Sequence, residues 1–279
     1  MYSHPWKHGV CIGERSRHRI WETAMTVELY LGDCLEIMQE LEDNSIDLII
    51  TSPPYFNLRE YSNWETYDAY IYSVDLWFEQ LSRIIKPGRY IFWNLQDSYP
   101  NRLFDKQAPR KHLPLSSDTI QQAIKYINYE DNIVWFKGKA GATQRMFGSY
   151  PYPPTLIFSK LHENILVFRK EGQAKYSRTE DSKISKEQWV NLTNSVWEFP
   201  PKTHSKHPAP FPIILPTRAI TGWSLVGDTI LDPFMGSGTT GVACKQTERN
   251  FVGIEINPKY FEIAEKRIAE AQLQIRMEI

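Results

Sequence analysis

The hydrophobic positions of this chain switch period repeatedly, and the switches come in pairs. Val27, Leu29 and Leu31 alternate along Thr26–Gly32, the two-residue period of a strand. After Asp33, residues Leu35, Ile37, Met38 and Leu41 fall on the three-to-four spacing of a helix. Asp43-Asn44-Ser45 breaks that helix. Asp47-Leu48-Ile49-Ile50 then follows as an apolar run after one carboxylate, as expected of a strand covered on both faces. The beat continues with a helix over Tyr67–Ile85, a break at Lys86-Pro87-Gly88, a strand over Arg89–Asn94, a helix over Ser116–Ile127 and a strand over Asn132–Phe136. It resumes with a strand over His162–Lys170, a helix from Ile213 to about Trp223, a strand over Asp228–Leu231, a helix over Gly238–Thr247, a strand over Phe251–Glu255 and a terminal helix from Pro258 to about Ile275. Strands alternating with helices predict an α/β fold on a largely parallel sheet.

Two regions lack this beat. Residues 1–25 are polar and aperiodic and read as an extension ahead of a domain spanning 26–279. Residues of about 138–206, with a smaller stretch near 98–111, are rich in Gly, Pro, Lys, Ser and Thr and read as an irregular insertion.

Composition narrows the class. The chain has 279 residues, 42% of them hydrophobic, enough for one large core with an inserted lobe. No apolar run reaches the length of a membrane span, and the first residues lack a signal-peptide core. Cys11, Cys34 and Cys244 have no paired spacing, so neither a disulfide framework nor a zinc site is expected. A reducing, cytoplasmic-type compartment fits. The net charge of −1 gives no global signature of nucleic-acid binding, while a local basic face stays open.

Two stretches carry candidate chemistry. In Thr51-Ser52-Pro53-Pro54-Tyr55 the prolines stop a strand, because neither has an N–H for the ladder. The loop offers a hydroxyl at Ser52, fixed carbonyls and the flat ring of Tyr55. It reads either as a pocket for a planar polar ligand or as a turn that merely ends a strand. The second stretch, Asp232-Pro233-Phe234-Met235-Gly236-Ser237-Gly238-Thr239-Thr240-Gly241, follows a strand and opens a helix. No Lys follows Gly238 as a phosphate loop requires, and the third glycine of a dinucleotide fingerprint is misplaced. Glu255, at the end of the next strand, stands where such folds grip a ribose diol, so an adenosine-containing cofactor without a pyrophosphate fits.

Together these motifs resemble a family. DPFMGSGTTG followed by GIEINPKYFEIAEKRI looks like the S-adenosylmethionine site of DNA methyltransferases, TSPPY resembles their catalytic loop, and HPAPFPIILPTRAI resembles the motif ahead of the cofactor loop. Their order resembles the β group of amino-methyltransferases. The resemblance implies a Rossmann-like class I methyltransferase fold. Its mostly parallel seven-stranded sheet would be circularly permuted, with helices on both faces and a target-recognition insertion. It implies that Asp232, Phe234, Gly236 and Gly238 surround the methionine part of S-adenosylmethionine, with Thr239 and Thr240 offering donors to its carboxylate. Glu255 would take the ribose hydroxyls and Asp33 the adenine amine. For Asp33 an N-cap of the following helix is the competing reading.

Ser52, Pro53, Pro54 and Tyr55 would then be catalytic. Two acceptors, Ser52 Oγ and the Pro53 carbonyl, would draw on the two N–H bonds of an exocyclic amine and free its lone pair. Tyr55 would stack on a base flipped out of duplex DNA. None of the three cysteines follows a proline, which argues against carbon-5 methylation. Serine at the first motif position resembles the N4-cytosine enzymes. The alternatives are an N6-adenine enzyme of the same group, a catalytically silent DNA-binding homologue, or a methyltransferase acting on RNA or a glutamine side chain. Lys137, Lys139, Gln144 and Arg145 are candidate DNA contacts, as are Arg102, Lys106, Arg110, Lys111, Lys160, Arg169, Lys170, Lys175, Arg178 and residues 202–206. The implied partners are double-stranded DNA and, functionally, a cognate restriction endonuclease. A monomer or homodimer in a bacterial or archaeal cytoplasm is expected, with no metal and no membrane.

Overall fold

The computed structural model describes residues 17–22 (as backbone), 25–56, 64–97, 112–138, 152, 153, 158, 160–175, 180–201 and 212–271. Among these, nine strands form one sheet: β1 (Arg17–Glu22), β2 (Met25–Leu31), β3 (Ile46–Thr51), β4 (Ile85–Leu95), β5 (Asn128–Phe136), β6 (His162–Arg169), β7 (Val196–Glu198), β8 (Thr229–Asp232) and β9 (Asn250–Glu255). They lie in the order β1-β2-β9-β8-β3-β4-β6-β5-β7. Seven helices accompany them: α1 (Cys34–Glu40), α2 (Tyr67–Ile84), α3 (Leu115–Ala123), α4 (Lys186–Leu192), α5 (Ile214–Trp223), α6 (Thr239–Gln246) and α7 (Pro258–Glu270). Among the described residues, no helix is long and apolar enough to cross a membrane.

Strand alternation builds two cores. In β3, Ile49 enters a cluster with α1, α2 and α3, while Leu48 and Ile50 enter a second cluster with α5, α6 and α7. In β4, Ile91 and Trp93 face the first and Phe92 the second. Every residue of β3 is buried, which is why it reads as a continuous apolar run.

The connections place a crevice. From β8 the chain passes through α6 to β9, in one direction along the sheet. From β3 it passes through α2 to β4, in the other direction. The two helices cover opposite faces, so β3 and β8, which pair in parallel, flank a topological switch point. Ligands of doubly wound sheets bind beyond the carboxyl ends of the strands at such a point. Asp232, Ser52, Glu255 and Asp33 all lie at or just beyond those ends.

The expected seven strands are present as β2, β9, β8, β3, β4, β6 and β5, with β6 antiparallel to both neighbours. The sheet extends beyond them by one strand at each edge. β1 lies in the stretch expected to be an extension and pairs antiparallel with β2. At the other edge, β7 and α4 interrupt the insertion expected to be irregular. Ser185 and Gln188 form a capping box that starts α4, and the fully buried Trp197 anchors β7. Lys86-Pro87-Gly88, expected as a break, lies inside β4, which starts directly after α2. The register shifts there, with Ile46 opposite Ile85 and Leu48 opposite Tyr90, so the extra residues bulge from β4, and Gly88 has φ +76°. α3 ends at Ala123 rather than near Ile127, because β5 begins at Asn128 opposite Arg169 of β6.

A buried ionic clamp fastens the other end of the central strands. Asp47 Oδ2 accepts from Lys86 Nζ at 2.7 Å and from Thr229 N at 3.1 Å, and Asp47 Oδ1 lies 3.2 Å from Arg89 Nη2. Arg89 also reaches Asp228 Oδ2 at 3.0 Å. Four side chains thus bind β3, β4 and β8 at their amino ends. Asp47→Ala is expected to lower the unfolding free energy by about 3 kcal/mol, because it leaves buried positive charge short of a partner. Urea denaturation measures this, and wild-type stability in the variant would show the clamp to be inert.

Candidate active site

The switch point is closed by one carboxylate. Thr51 ends β3, and its buried hydroxyl donates to Asp232 Oδ1 at 2.6 Å. Asp232 ends β8 and is 1% exposed. Its Oδ2 accepts from Thr240 Oγ1 at 2.6 Å, and its Oδ1 also accepts from Phe234 N at 3.1 Å. The carboxylate therefore joins the Ser52–Tyr55 loop, the glycine loop and the start of α6. Burial pushes Asp232 up to about 6, although all three hydrogen bonds favour its anion.

A second carboxylate organises the neighbouring strand end. Glu255 Oε2 accepts from Gly236 N at 2.9 Å and Oε1 from Asn257 N at 2.8 Å. The Glu255 backbone carbonyl accepts from Gly32 N at 2.9 Å, which brings the end of β2 alongside. Burial raises Glu255 to about 7, again against the backbone hydrogen bonds. Beside it Asp33 caps α1, its Oδ1 accepting from Leu35 N at 2.8 Å and Glu36 N at 3.4 Å. The capping reading of Asp33 is thus realised.

The glycine loop has a tight backbone. Gly236 and Gly238 have φ of +51° and +76°. A Cβ on Gly238 would lie 2.9 Å from Ala264 Cβ, so this glycine also lets α6 approach α7. Phe234 is wedged edge-on against Trp77, with ring centroids 4.8 Å apart. Two residues expected to meet the cofactor have protein partners here: the Asp232 carboxylate is enclosed by three protein donors, and the Thr240 hydroxyl is one of them. Thr239 is buried too. The segment is compact because α6 starts directly beneath the strand end.

The Ser52–Tyr55 loop stands over the ends of β3, β4 and β6. Ser52 Oγ and Tyr55 OH are 3.3 Å apart. Tyr55 OH is 3.5 Å from both the Asn94 carbonyl and Glu163 Oε2. Asn94 Nδ2 donates to Glu163 Oε2 at 2.7 Å, and Lys137 Nζ lies 2.5 Å from Glu163 Oε1. Lys137 was expected to meet phosphates. It is instead 3% exposed, because it follows the inward-facing Trp135 by two residues and meets a buried partner. Arg169 and Lys170 are at the opposite end of the sheet. Arg169 lies over the Tyr90 ring, and Lys170 bonds Asn44 and the Ile85 carbonyl. Lys139, Gln144, Arg145, the basic run over 102–111, Arg178 and residues 202–211 lie outside the described residues. Cys34 and Cys244 are buried, and burial raises both thiols well above their usual range, which disfavours a thiolate nucleophile.

Thr51, Asn94 and Glu163 were not singled out from the sequence. Asn94 had a signal, as a polar residue closing an apolar strand one strand over from the Pro-Pro loop. Glu163 had none before β6 was known to run antiparallel.

With this geometry in view, residues 46–266 match the model of a DNA methylase family, N6_N4_Mtase. The chain belongs to this family. It is 30% identical over 256 residues to the type II β methyltransferase M.BslI of Bacillus sp. strain NEB-606, covering 86% of this chain but only 27% of that longer protein. It is 28% identical to the type II methyltransferase M.MthZI of Methanothermobacter thermautotrophicus, over 84% of this chain and 74% of the relative. The structure resembles TTHA0409 of Thermus thermophilus, solved in complex with S-adenosyl-L-methionine. That match has a TM-score of 0.73 and 29% identity, and it covers 87% of this chain and 93% of the other.

The two raised acids predict a pH dependence of the ligand-free protein. The folded state holds their protons above the pH at which the unfolded chain releases them. Stability from this source is complete below about 4 and is lost as pH rises toward about 7. The melting temperature relative to a Glu255→Gln variant is expected to fall between about pH 5 and 7.5. A constant difference would contradict the raised acidity of Glu255.

Proposed function

We propose that this protein is a DNA amino-methyltransferase that uses S-adenosylmethionine and acts on the N4 amine of cytosine in a flipped-out base. The observation that carries the proposal is the Thr51–Asp232–Thr240 bridge, which holds a Ser-Pro-Pro-Tyr loop against a glycine loop at the switch point of the sheet. Family membership and the type II methyltransferase relatives support a DNA substrate in a restriction-modification setting. The order of the loops, with the catalytic one first, supports the permuted β group.

The residues present fit the cofactor. Glu255 is held by two backbone amides that leave carboxylate lone pairs for a ribose diol, and its raised acidity reflects a shortage of solvation that such donors relieve. Asp33 carries both capping bonds on Oδ1, so the same side chain can accept from the adenine amine through Oδ2. The glycine loop would meet the methionine part with backbone rather than side chains, and Phe234, packed on Trp77, would stand beside it. When bound, S-adenosylmethionine supplies a methyl group on a sulfonium. Displacement in line then needs alignment more than acid or base, and the bridge at Asp232 provides it.

On the substrate side the amine is a poor nucleophile, because its lone pair is delocalised into the ring. Hydrogen-bond acceptors on its N–H groups favour a pyramidal nitrogen. The Pro53 carbonyl is fixed by the two prolines, and Ser52 can accept from the amine or donate to the ring nitrogen beside it. This double capacity of serine favours cytosine N4, since an ionised aspartate would only accept. The Tyr55 ring supplies the stacking face.

Expression in cells, followed by nucleoside mass spectrometry and methylome sequencing of plasmid DNA, tests the reading. N4-methylcytosine at one sequence is expected, and N6-methyladenine as the sole product would replace the base. Tyr55→Ala is expected to reduce methyl transfer by about a hundredfold while cofactor affinity stays within about twofold by calorimetry. Equal loss of both would remove the role given to Tyr55.

A further inference from the structure

Four polar side chains form a row across the carboxyl edge of the sheet, on the side of α5, α6 and α7. Thr51 pairs with Trp93, so Ser52 lies beside Asn94. Asn94 pairs with Ile165, and Glu163 is two residues away on the same face of β6. Glu163 pairs with Trp135 of β5, two residues before Lys137. The row is therefore Ser52, Asn94, Glu163 and Lys137, one from each of four adjacent strands or the residue just past it. Neighbouring strands are about 5 Å apart, so adjacent members of the row are in reach of one another.

The hydrogen bonds along it run one way. Lys137, buried, ion-pairs with Glu163 Oε1 at 2.5 Å. Glu163 Oε2 accepts from Asn94 Nδ2 at 2.7 Å. This fixes which end of the Asn94 amide faces the glutamate, because a carboxylate accepts only from the amino end. The carbonyl end, Oδ1, must then point away. Asn94 is 2% exposed, and its Oδ1 has no hydrogen-bond partner among the described residues. A buried acceptor without a donor is costly and rare in folded proteins. Asn94 follows Trp93, the partner of Thr51, so it lies beside Ser52 in the register, and its backbone carbonyl is 3.5 Å from Tyr55 OH.

We propose that Asn94 is a substrate-contact residue whose side-chain carbonyl accepts an N–H of the target amine, and that Glu163, neutralised by Lys137, is the positioning residue that aims it. The proposal rests on the amino-methyltransferase reading and deepens it. The amine offers two N–H groups. With Asn94 Oδ1 and the Pro53 carbonyl accepting from them, the Ser52 hydroxyl donates to the adjacent ring nitrogen. Both N–H groups of the amine and the adjacent ring nitrogen then each have a partner, and the orphan acceptor on Asn94 is satisfied when the base is in place.

The test uses the full chain and a duplex bearing the mapped site. Asn94→Leu keeps the branched shape and removes the carbonyl acceptor together with the amino group that meets Glu163. It is expected to slow transfer by about tenfold to a hundredfold, with cofactor affinity unchanged. On a duplex whose target base lacks the exocyclic amine, wild type and Asn94→Leu are expected to bind equally, while on the normal duplex the variant binds more weakly. Removing Glu163 alone would strand buried Lys137, so the pair is changed together. Lys137→Met with Glu163→Leu is expected to fold and bind cofactor but transfer slowly, and Lys137→Met with Glu163→Gln, which restores an acceptor for Asn94, is expected to recover most of the rate. An active wild type with an equally active Asn94→Leu variant overturns the contact, as does a binding deficit that persists on the amine-free duplex. A fast Lys137→Met, Glu163→Leu enzyme overturns the positioning role. If the wild type itself methylates no DNA, the functional reading falls and this assignment with it.

Discussion

The structure depends on a carboxylate that almost no water reaches. Asp232 joins Thr51 and Thr240, residues far apart in sequence, by two hydrogen bonds of 2.6 Å. Hydrogen bonds to a charged acceptor are each worth about 1.5–3 kcal/mol net, so the bridge is strong enough to set the relative position of two loops. Threonine suits both ends, because its branched side chain has few rotamers and loses little freedom on being held. Loops that follow strands would otherwise wander independently. Hooked to one buried oxygen pair, the Ser52–Tyr55 loop and the glycine loop move as part of the sheet.

Much of this was legible in the sequence, because the physics that shapes it is local. A covered strand must be apolar throughout, so β3 was readable. Two prolines must end a ladder, and glycines with positive φ must mark a tight turn, so both loops were readable. What stayed hidden depends on long-range pairing. β1 and β7 are held by neighbours at the sheet edges, and little in their own sequence demands a strand. Lys137 looks like a surface cation in a basic stretch, and only the register of β5 on β6 reveals its partner Glu163. Thr240 looks like a donor at a helix start until the strand end is folded over it. Asp33 satisfies its capping role visibly, which leaves its ligand role to chemistry rather than pattern.

The two ends of the central strands divide the work. At the amino end, Asp47, Lys86, Arg89 and Asp228 hold the strands by ion pairs in which each acid has a cation. At the carboxyl end the polar groups are arranged differently. The bridge at Asp232 uses hydroxyls, and the row from Lys137 to Asn94 ends in an acceptor with no protein donor among the described residues. The amino end is tied by paired charges, while the row at the carboxyl end leaves Asn94 Oδ1 open beside the Ser52–Tyr55 loop, a local departure of the kind functional sites show.

That division extends to charge. Asp47, Asp228 and Glu163 each have a lysine or arginine within ion-pair distance. Asp232 and Glu255, among the described residues, are stabilised by hydroxyls and backbone amides without a cation, and burial holds both above the ordinary carboxylate range. A scaffold acid is neutralised by the protein. Asp232 relies instead on three protein donors and Glu255 on backbone amides, whose hydrogen bonds oppose the effect of burial. Glu163 shows the contrast. It stands near the Ser52–Tyr55 loop with Lys137 within ion-pair distance, so in the proposed reading it orients Asn94 without presenting an unbalanced charge there. In the proposed reading, hydroxyl donors reaching Glu255 would favour its anion and bring it back toward the ordinary carboxylate range. The pattern therefore sets Asp47, Asp228 and Glu163, each beside a cation, apart from Asp232 and Glu255, which are held by hydrogen bonds.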